Sequence, residues 1–205
     1  MSLRLDHAEI SGTFSLDGET HDVDNNLWVV GDDEECVVID APHDVAAIEK
    51  VIGGRTVKAI VLTHAHDDHS RVAPELRERV NEGQGAPILM HPDDKPLWEL
   101  IHPDYLWDVD LEDGMTFKVA GSSLKVLHTP GHAPGAVCLY SHDLGCVFTG
   151  DTLFQGGPGA TGRSYSDEDQ IKDSIRSVLF RLADETVVHT GHGPDTTIGA
   201  ERENL

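Results

Sequence analysis

Within seven residues, Thr63-His64-Ala65-His66-Asp67-Asp68-His69, the chain offers three imidazoles and two carboxylates. All five are good ligands for zinc, iron or manganese. In extended backbone, side chains two apart share a face, whereas in a helix they diverge. His64 and His66 therefore suit a strand end and can grip one metal, while Asp68 and His69, at the start of a helix, turn toward a second. Three more candidates follow apolar runs at glycine turns: His132 in Pro130-Gly131-His132, Asp151 in Thr149-Gly150-Asp151, and His192 in Thr190-Gly191-His192-Gly193. Each is a weak signal alone. With the cluster they complete two metal sites, because an α/β fold collects strand-end loops on one edge of its sheets.

The elements that must position these residues are legible as apolar patterns. Short β-branched runs at 27–30, 36–39, 57–62, 88–90, 124–127, 136–140, 146–148 and 186–188 read as strands. Between them lie helical stripes: Val45, Ile48 and Ile52; Val72, Leu76 and Val80, with Pro74 in the first turn; and Ile171, Ile175, Val178, Leu179 and Leu182. Ser166 with Asp169 resembles a capping box opening the last of these. Strands alternating with helices give the α/β class. The glycine-rich stretch 156–162 is expected to be a mobile loop, and no linker divides the chain, so a single domain spanning 1–205 is expected.

Composition narrows the function. With 39% hydrophobic and 25% charged residues the chain is globular, which excludes disordered, collagenous and coiled-coil classes. Fifteen Lys and Arg against 37 Asp and Glu leave a net charge of −22, which repels phosphate backbones, so nucleic acid is not an expected partner. No apolar run approaches the roughly 18 residues of a membrane span. The opening Met1-Ser2-Leu3-Arg4-Leu5-Asp6 lacks a secretion h-region. Cys36, Cys138 and Cys146 form no C-x-x-C pair and read as small buried hydrophobes in a reduced compartment. A cytoplasmic protein without a membrane partner is expected.

The ordered set of motifs resembles the metallo-β-lactamase superfamily, and within it the compact bacterial type of glyoxalase II-like (hydroxyacylglutathione hydrolase-like) enzymes. The motifs are H-x-H-x-D-H at residues 64–69, then His132, Asp151 and Gly191-His192-Gly193. That resemblance implies an αβ/βα four-layer sandwich. It implies that His64, His66 and His132 bind one metal, that Asp68, His69 and His192 bind the other, and that Asp151 bridges them. The implied cofactor is a pair of divalent ions, zinc first with iron or manganese as alternatives. The implied reaction is cleavage of a small-molecule thiol ester by metal-bound hydroxide, with the ions about 3.5–4 Å apart and Asp68 orienting the nucleophile. Arg163 and Tyr165 fall where such enzymes present a basic residue and a tyrosine to the thiol part of the substrate.

Departures from related branches refine the resemblance. His69 stands where antibiotic-hydrolysing members commonly carry a non-ligand, and His66 where flavodiiron proteins carry a glutamate. From its length the chain is expected to lack the extra domain of the CPSF-like branch and much of the helical C-terminal domain of full-length glyoxalase II. A second reading is a persulfide dioxygenase-like oxidoreductase with one iron held by His64, His132 and Asp151, a facial triad. The other histidines, His7, His21, His43, His91, His102, His128, His142 and His189, match no ligand position. Of these His128 is placed to orient His132, and Asp40 is a further supporting candidate. Trp98, Tyr105 and Trp107 read as packing residues.

Overall fold

The computed structural model describes residues 2–205. The first sheet runs in chain order, β1 (Arg4–Leu16), β2 (Glu19–Gly31), β3 (Glu35–Ile39), β4 (Thr56–Val61), β5 (Ile88–Met90) and β6 (Val109–Asp110). β1 to β3 pair antiparallel and β3 to β6 parallel. Parallel neighbours need crossovers, supplied by α1 (Val45–Ile52), then α2 (Asp67–Ser70) with α3 (Ala73–Arg79), then α4 (Lys95–Ile101). The chain goes on through β7 (Thr116–Val119), β8 (Ser122–His128), β9 (Val137–Ser141), β10 (Cys146–Gly150) and a small hairpin, β11 (Leu153–Phe154) with β12 (Gly157–Pro158). α5 (Glu168–Ser177), β13 (Val187–Thr190), β14 (Thr196–Thr197) and α6 (Ile198–Glu201) complete it. The second sheet has the order β14-β13-β10-β9-β8-β7.

Period-two alternation divides the apolar residues between faces. In the first sheet Val29, Cys36, Val38 and Ile60 pack toward α1, α3 and α4, where they meet Ile48, Leu76 and Trp98. Their neighbours Val30, Val37, Ile39 and Val61 meet Val126, Leu139, Cys146 and Phe148 of the second sheet. The far face of that sheet, with Cys138, Val147 and Val188, is covered by Ile171 and Ile175 of α5 and Ile198 of α6. Helix, sheet, sheet, helix is the αβ/βα sandwich.

Several local expectations need correction. α5 is capped by Asp167, whose side chain accepts the Gln170 N–H, while the Ser166 hydroxyl donates to the Arg163 carbonyl at 2.7 Å. The helix stops at Ser177, and a 3-10 turn, Leu179–Arg181, carries Leu179 of the stripe into the same core. The first two strands are far longer than the run 27–30 suggests. They form a hairpin of thirteen residues a side about Asp17 and Gly18, both with positive φ. An Asp-Gly pair between strands is the signal for this turn. Within the glycine-rich stretch, β12 pairs with β11. No helix among the described residues is long and apolar enough to cross a membrane.

This topology puts strand ends where chemistry can be assembled. β8 and β10 both run antiparallel to β9, and β13 runs parallel to β10, so β8, β10 and β13 end on one edge. That edge is joined to the first sheet by backbone bonds from Val137 N to Thr63 O and from Asn26 N to Gly191 O, both 2.8 Å. Phe148 is fully buried between the sheets. Replacing it with alanine is expected to cost about 3–5 kcal/mol, read as a lower midpoint of chemical denaturation.

Candidate metal centre

β4 ends at Val61, and after a bend at Thr63 the chain reaches His66, whose φ of −61° and ψ of 151° are extended and precede the first residue of α2. His64 and His66 thus leave this connecting segment, and Asp68 and His69 leave the helix. His132 comes from the turn between β8 and β9, Asp151 directly follows β10, and His192 follows β13 by two residues. His64, His66, Asp68, His69 and His132 are buried; Asp151 and His192 keep a little exposure.

The seven side chains converge. Potential ligand atoms of His64, His66 and His132 lie within 4.8 Å of one another, as do those of Asp68, His69 and His192, and those of His64, His69 and Asp151. Asp151 joins the groups: Oδ2 is 3.6 Å from His132 Nε2 and 3.4 Å from His192 Nε2, and Oδ1 is 3.3 Å from His69 Nε2. Asp68 Oδ2 is 3.2 Å from His192 Nε2.

The far nitrogens decide what the near ones can do. His132 Nδ1 faces the Ala160 carbonyl at 2.8 Å and His192 Nδ1 the Asp24 carbonyl at 2.7 Å. A carbonyl only accepts, so each Nδ1 is a donor and Nε2 is the nitrogen left to face an ion. His69 Nδ1 meets Asp40 Oδ2 at 2.8 Å, and Thr63 Oγ1, 3.1 Å from His64 Nδ1, donates to the same oxygen at 2.9 Å. Asp40 is therefore a support of two candidate ligands. His128 is not the group that orients His132: it stacks on His91 at 4.0 Å and donates from Nε2 to the Pro134 carbonyl, while the Ala160 carbonyl does the orienting.

Electrostatics agree with a site built for cations. Burial holds His64 well below its ordinary value, and burial with His132 brings His66 down to about 3. Burial would raise Asp68, but His69 and His192 outweigh it and hold the carboxyl at about 2. Burial would lower His192, but Asp151 and Asp68 lift it to about 10. Two buried carboxylates are thus balanced by protons on imidazoles, which a bound ion would displace. His64 Nε2, His66 Nε2 and Asp151 Oδ1 are buried without a hydrogen-bond partner, an arrangement that costs free energy unless a ligand satisfies them. The donor set of nitrogen and carboxylate oxygen suits zinc, iron or manganese, so the residues fit a pair of divalent ions. A fourth grouping, His91 with Asp93 and His128, is poorly shaped for one ion, because the stacked rings lie 11° from parallel and their lone pairs run side by side.

Two contributors escaped the sequence reading. Buried Asn25 points Nδ2 at Asp68 Oδ2 (3.1 Å) and His69 Nε2 (3.2 Å), its Oδ1 held by His43 at 2.7 Å. Asp94 is the other, bonded to the loops rather than to any ligand. A cavity of about 520 Å³ opens over the cluster, walled by Phe14, His21 and Val23 of the hairpin and by Arg163, Ser164 and Ser166. Arg163 sits at its mouth, 5.3 Å over the Phe14 ring and 3.1 Å from His21 Nε2. Tyr165 is 46% exposed with φ of 70° and is not among the residues lining the cavity.

The sequence model of the Metallo-beta-lactamase superfamily matches residues 22–192. Hydroxyacylglutathione hydrolase GloC of Haemophilus influenzae is 31% identical over 196 residues, covering 87% of this chain and 90% of that protein. Among solved structures, BLEG-1 B3 metallo-beta-lactamase superposes with a TM-score of 0.78 at 27% identity, over 95% of this chain and 97% of the other. TTHA1623 in a di-iron-bound form gives 0.77 at 32%, over 95% and 98%. ETHE1 from Myxococcus xanthus gives 0.74 at 27%, over 95% and 82%.

Gly191 has no room for a side chain: a Cβ would overlap Asp151 Oδ1 and lie 2.8 Å from His69 Cε1. Gly191→Ala is expected to lower the metal bound per chain while leaving the far-ultraviolet circular dichroism unchanged. Inductively coupled plasma mass spectrometry reads the first and a spectrum the second.

Proposed function

The chain belongs to the metallo-beta-lactamase superfamily, and on that premise we propose that it hydrolyses a thioester of a low-molecular-weight thiol with two divalent ions, in the manner of glyoxalase II. The observation that carries this reading is the division of seven convergent ligand side chains into two groups spanned by Asp151. Two bound ions would supply hydroxide at neutral pH and charge stabilisation for a developing oxyanion.

The chain's own residues supply the remainder, and among the described residues no imidazole hydrogen-bonds to the hydroxyl of either cavity serine, Ser164 or Ser166, to activate it. Ser166 spends its hydroxyl on the Arg163 carbonyl. Cys36 and Cys138 are pushed up to about 11 and Cys146 to about 12 by burial, so all three stay as thiols away from the cavity. Water would then be the attacking group, and Asp68, whose Oδ2 accepts from Asn25, would orient it as well as ligating an ion. Phe14 and Val23 give the cavity an apolar wall for acyl or thiol carbon, and Arg163 offers a cation at the mouth for a carboxylate or carbonyl. The similarity to a protein named hydroxyacylglutathione hydrolase and to a di-iron-bound structure supports this choice. Cytoplasmic location and a small-molecule substrate complete the reading, with zinc as the first choice of metal and iron or manganese as alternatives.

The second reading keeps one iron on His64, His132 and Asp151 and oxidises a persulfide with oxygen; the likeness to ETHE1 supports it. β-Lactam cleavage enters as a control, because one similar structure is named a B3 metallo-beta-lactamase. The decisive assay offers a glutathione thioester, glutathione persulfide under an oxygen electrode, and a chromogenic β-lactam to metal-loaded protein. Thioester turnover is expected. Asp68→Ala and His192→Ala are each expected to lose about one equivalent of metal and to cut turnover by roughly 10²-fold or more. Oxygen uptake without thioester cleavage, or full activity with one metal bound, overturns the two-metal hydrolase.

A further inference from the structure

Asp94 precedes α4 at the position where an aspartate ordinarily caps a helix, yet its side chain makes no cap bond. It is fully buried, and both carboxylate oxygens reach away from the helix. Oδ2 accepts the backbone N–H of Ala65 at 2.8 Å, and Oδ1 accepts that of Gly135 at 2.5 Å. Burial pushes this carboxyl up to about 7, against the pull of the two N–H groups. A dry carboxylate held by backbone amides alone is a costly choice for a helix start.

The two bonded amides have one thing in common. Ala65 lies between His64 and His66, in the loop that leaves the first sheet after β4. Gly135 closes the turn that began with Gly131 and His132 and that belongs to the second sheet. One carboxylate therefore ties together, across the seam of the two sheets, the loops carrying all three histidines of one ligand group, while hydrogen-bonding to none of their rings. The approach is close enough to exclude a side chain at 135: a Cβ there would lie 2.7 Å from Asp94 N and 2.9 Å from its carboxyl. The Asp68, His69 and His192 group has other supports, Asn25 and Asp40 among them.

We infer that Asp94 is a positioning residue for one half of the metal centre: it sets the separation of the 64–66 loop from the 132 turn, and thereby the metal affinity of the His64–His66–His132 group independently of the other. This rests on the two-metal reading proposed above. Asp94→Asn keeps the shape, leaves one acceptor and turns an NH2 against one of the two amides. Gly135→Ala pushes the same clip apart from the opposite side.

The test titrates metal-free wild type, Asp94→Asn and Gly135→Ala with Zn2+ against a chromophoric chelator, and with Co2+ followed by visible absorption. Thermal unfolding of each metal-free protein is recorded alongside. Wild type is expected to take up two equivalents. Both variants are expected to keep one at wild-type affinity and to weaken the other by tenfold or more, with a matching change in one component of the Co2+ spectrum. Two unchanged affinities, or equal weakening of both equivalents with a lowered unfolding temperature, overturns the inference and leaves Asp94 a general structural residue. If wild type takes up one equivalent, the two-metal reading falls, and Asp94 is judged on that ion: an unchanged affinity in both variants overturns it. No uptake by wild type overturns both.

Discussion

Seven lone-pair-bearing side chains can face one another only if something stronger than their mutual dislike fixes each in place. The restraint is the hydrogen bond at the back of four of the five rings. Asp40, Thr63 and the carbonyls of Ala160 and Asp24 each engage an Nδ1, so the rings of His64, His69, His132 and His192 cannot turn away. These anchors lie on separate parts of the chain: the end of β3, the end of β4, the segment after β12, and β2. The sandwich is what brings them to one edge, and its core of interleaved valines, isoleucines and leucines holds that edge at the required spacing. The two carboxylates hold His69 and His192 above the ordinary imidazole range, and a bound ion would take over the balancing of that charge.

What could be read from the chain beforehand follows from how local each signal is. The alternating apolar runs and the H-x-H-x-D-H string are local, so the α/β class and the first candidate ligands were visible in them, while the layer order came from the family resemblance. The β1–β2 hairpin was also encoded locally, in Asp17-Gly18, but half its strands face solvent and lack the apolar run that marks a buried strand. Ser166 and Asp167 both satisfy the chemistry of a cap, and only the path of the chain decides between them.

Residues that act across the seam left no such trace. Asn25 contacts atoms 43 and 44 positions away, and Asp94 binds amides 29 and 41 positions away. Asp94 is the clearer case, because at the head of a helix its local meaning is a cap and its tertiary meaning is not. His128 shows the converse: proximity to His132 in sequence suggested a bond, but an imidazole four positions away in a turn finds a nearer carbonyl.

The hairpin contributes Phe14, His21 and Val23 to the wall of the cavity and none of the clustered ligands, while the segment after β12 contributes Arg163 and Ser164. Ser164 N donates to Asp17 Oδ2 at 2.9 Å, so these two stretches touch and form an arch over the cluster. The side chains that wall the cavity and those that converge beneath it therefore come from different stretches, while Asp24, Asn25 and Ala160 tie the arch to the cluster. His21, Val23 and Arg163 can thus change with consequences for the wall alone, whereas a change at Asn25 is felt at Asp68 and His69 as well.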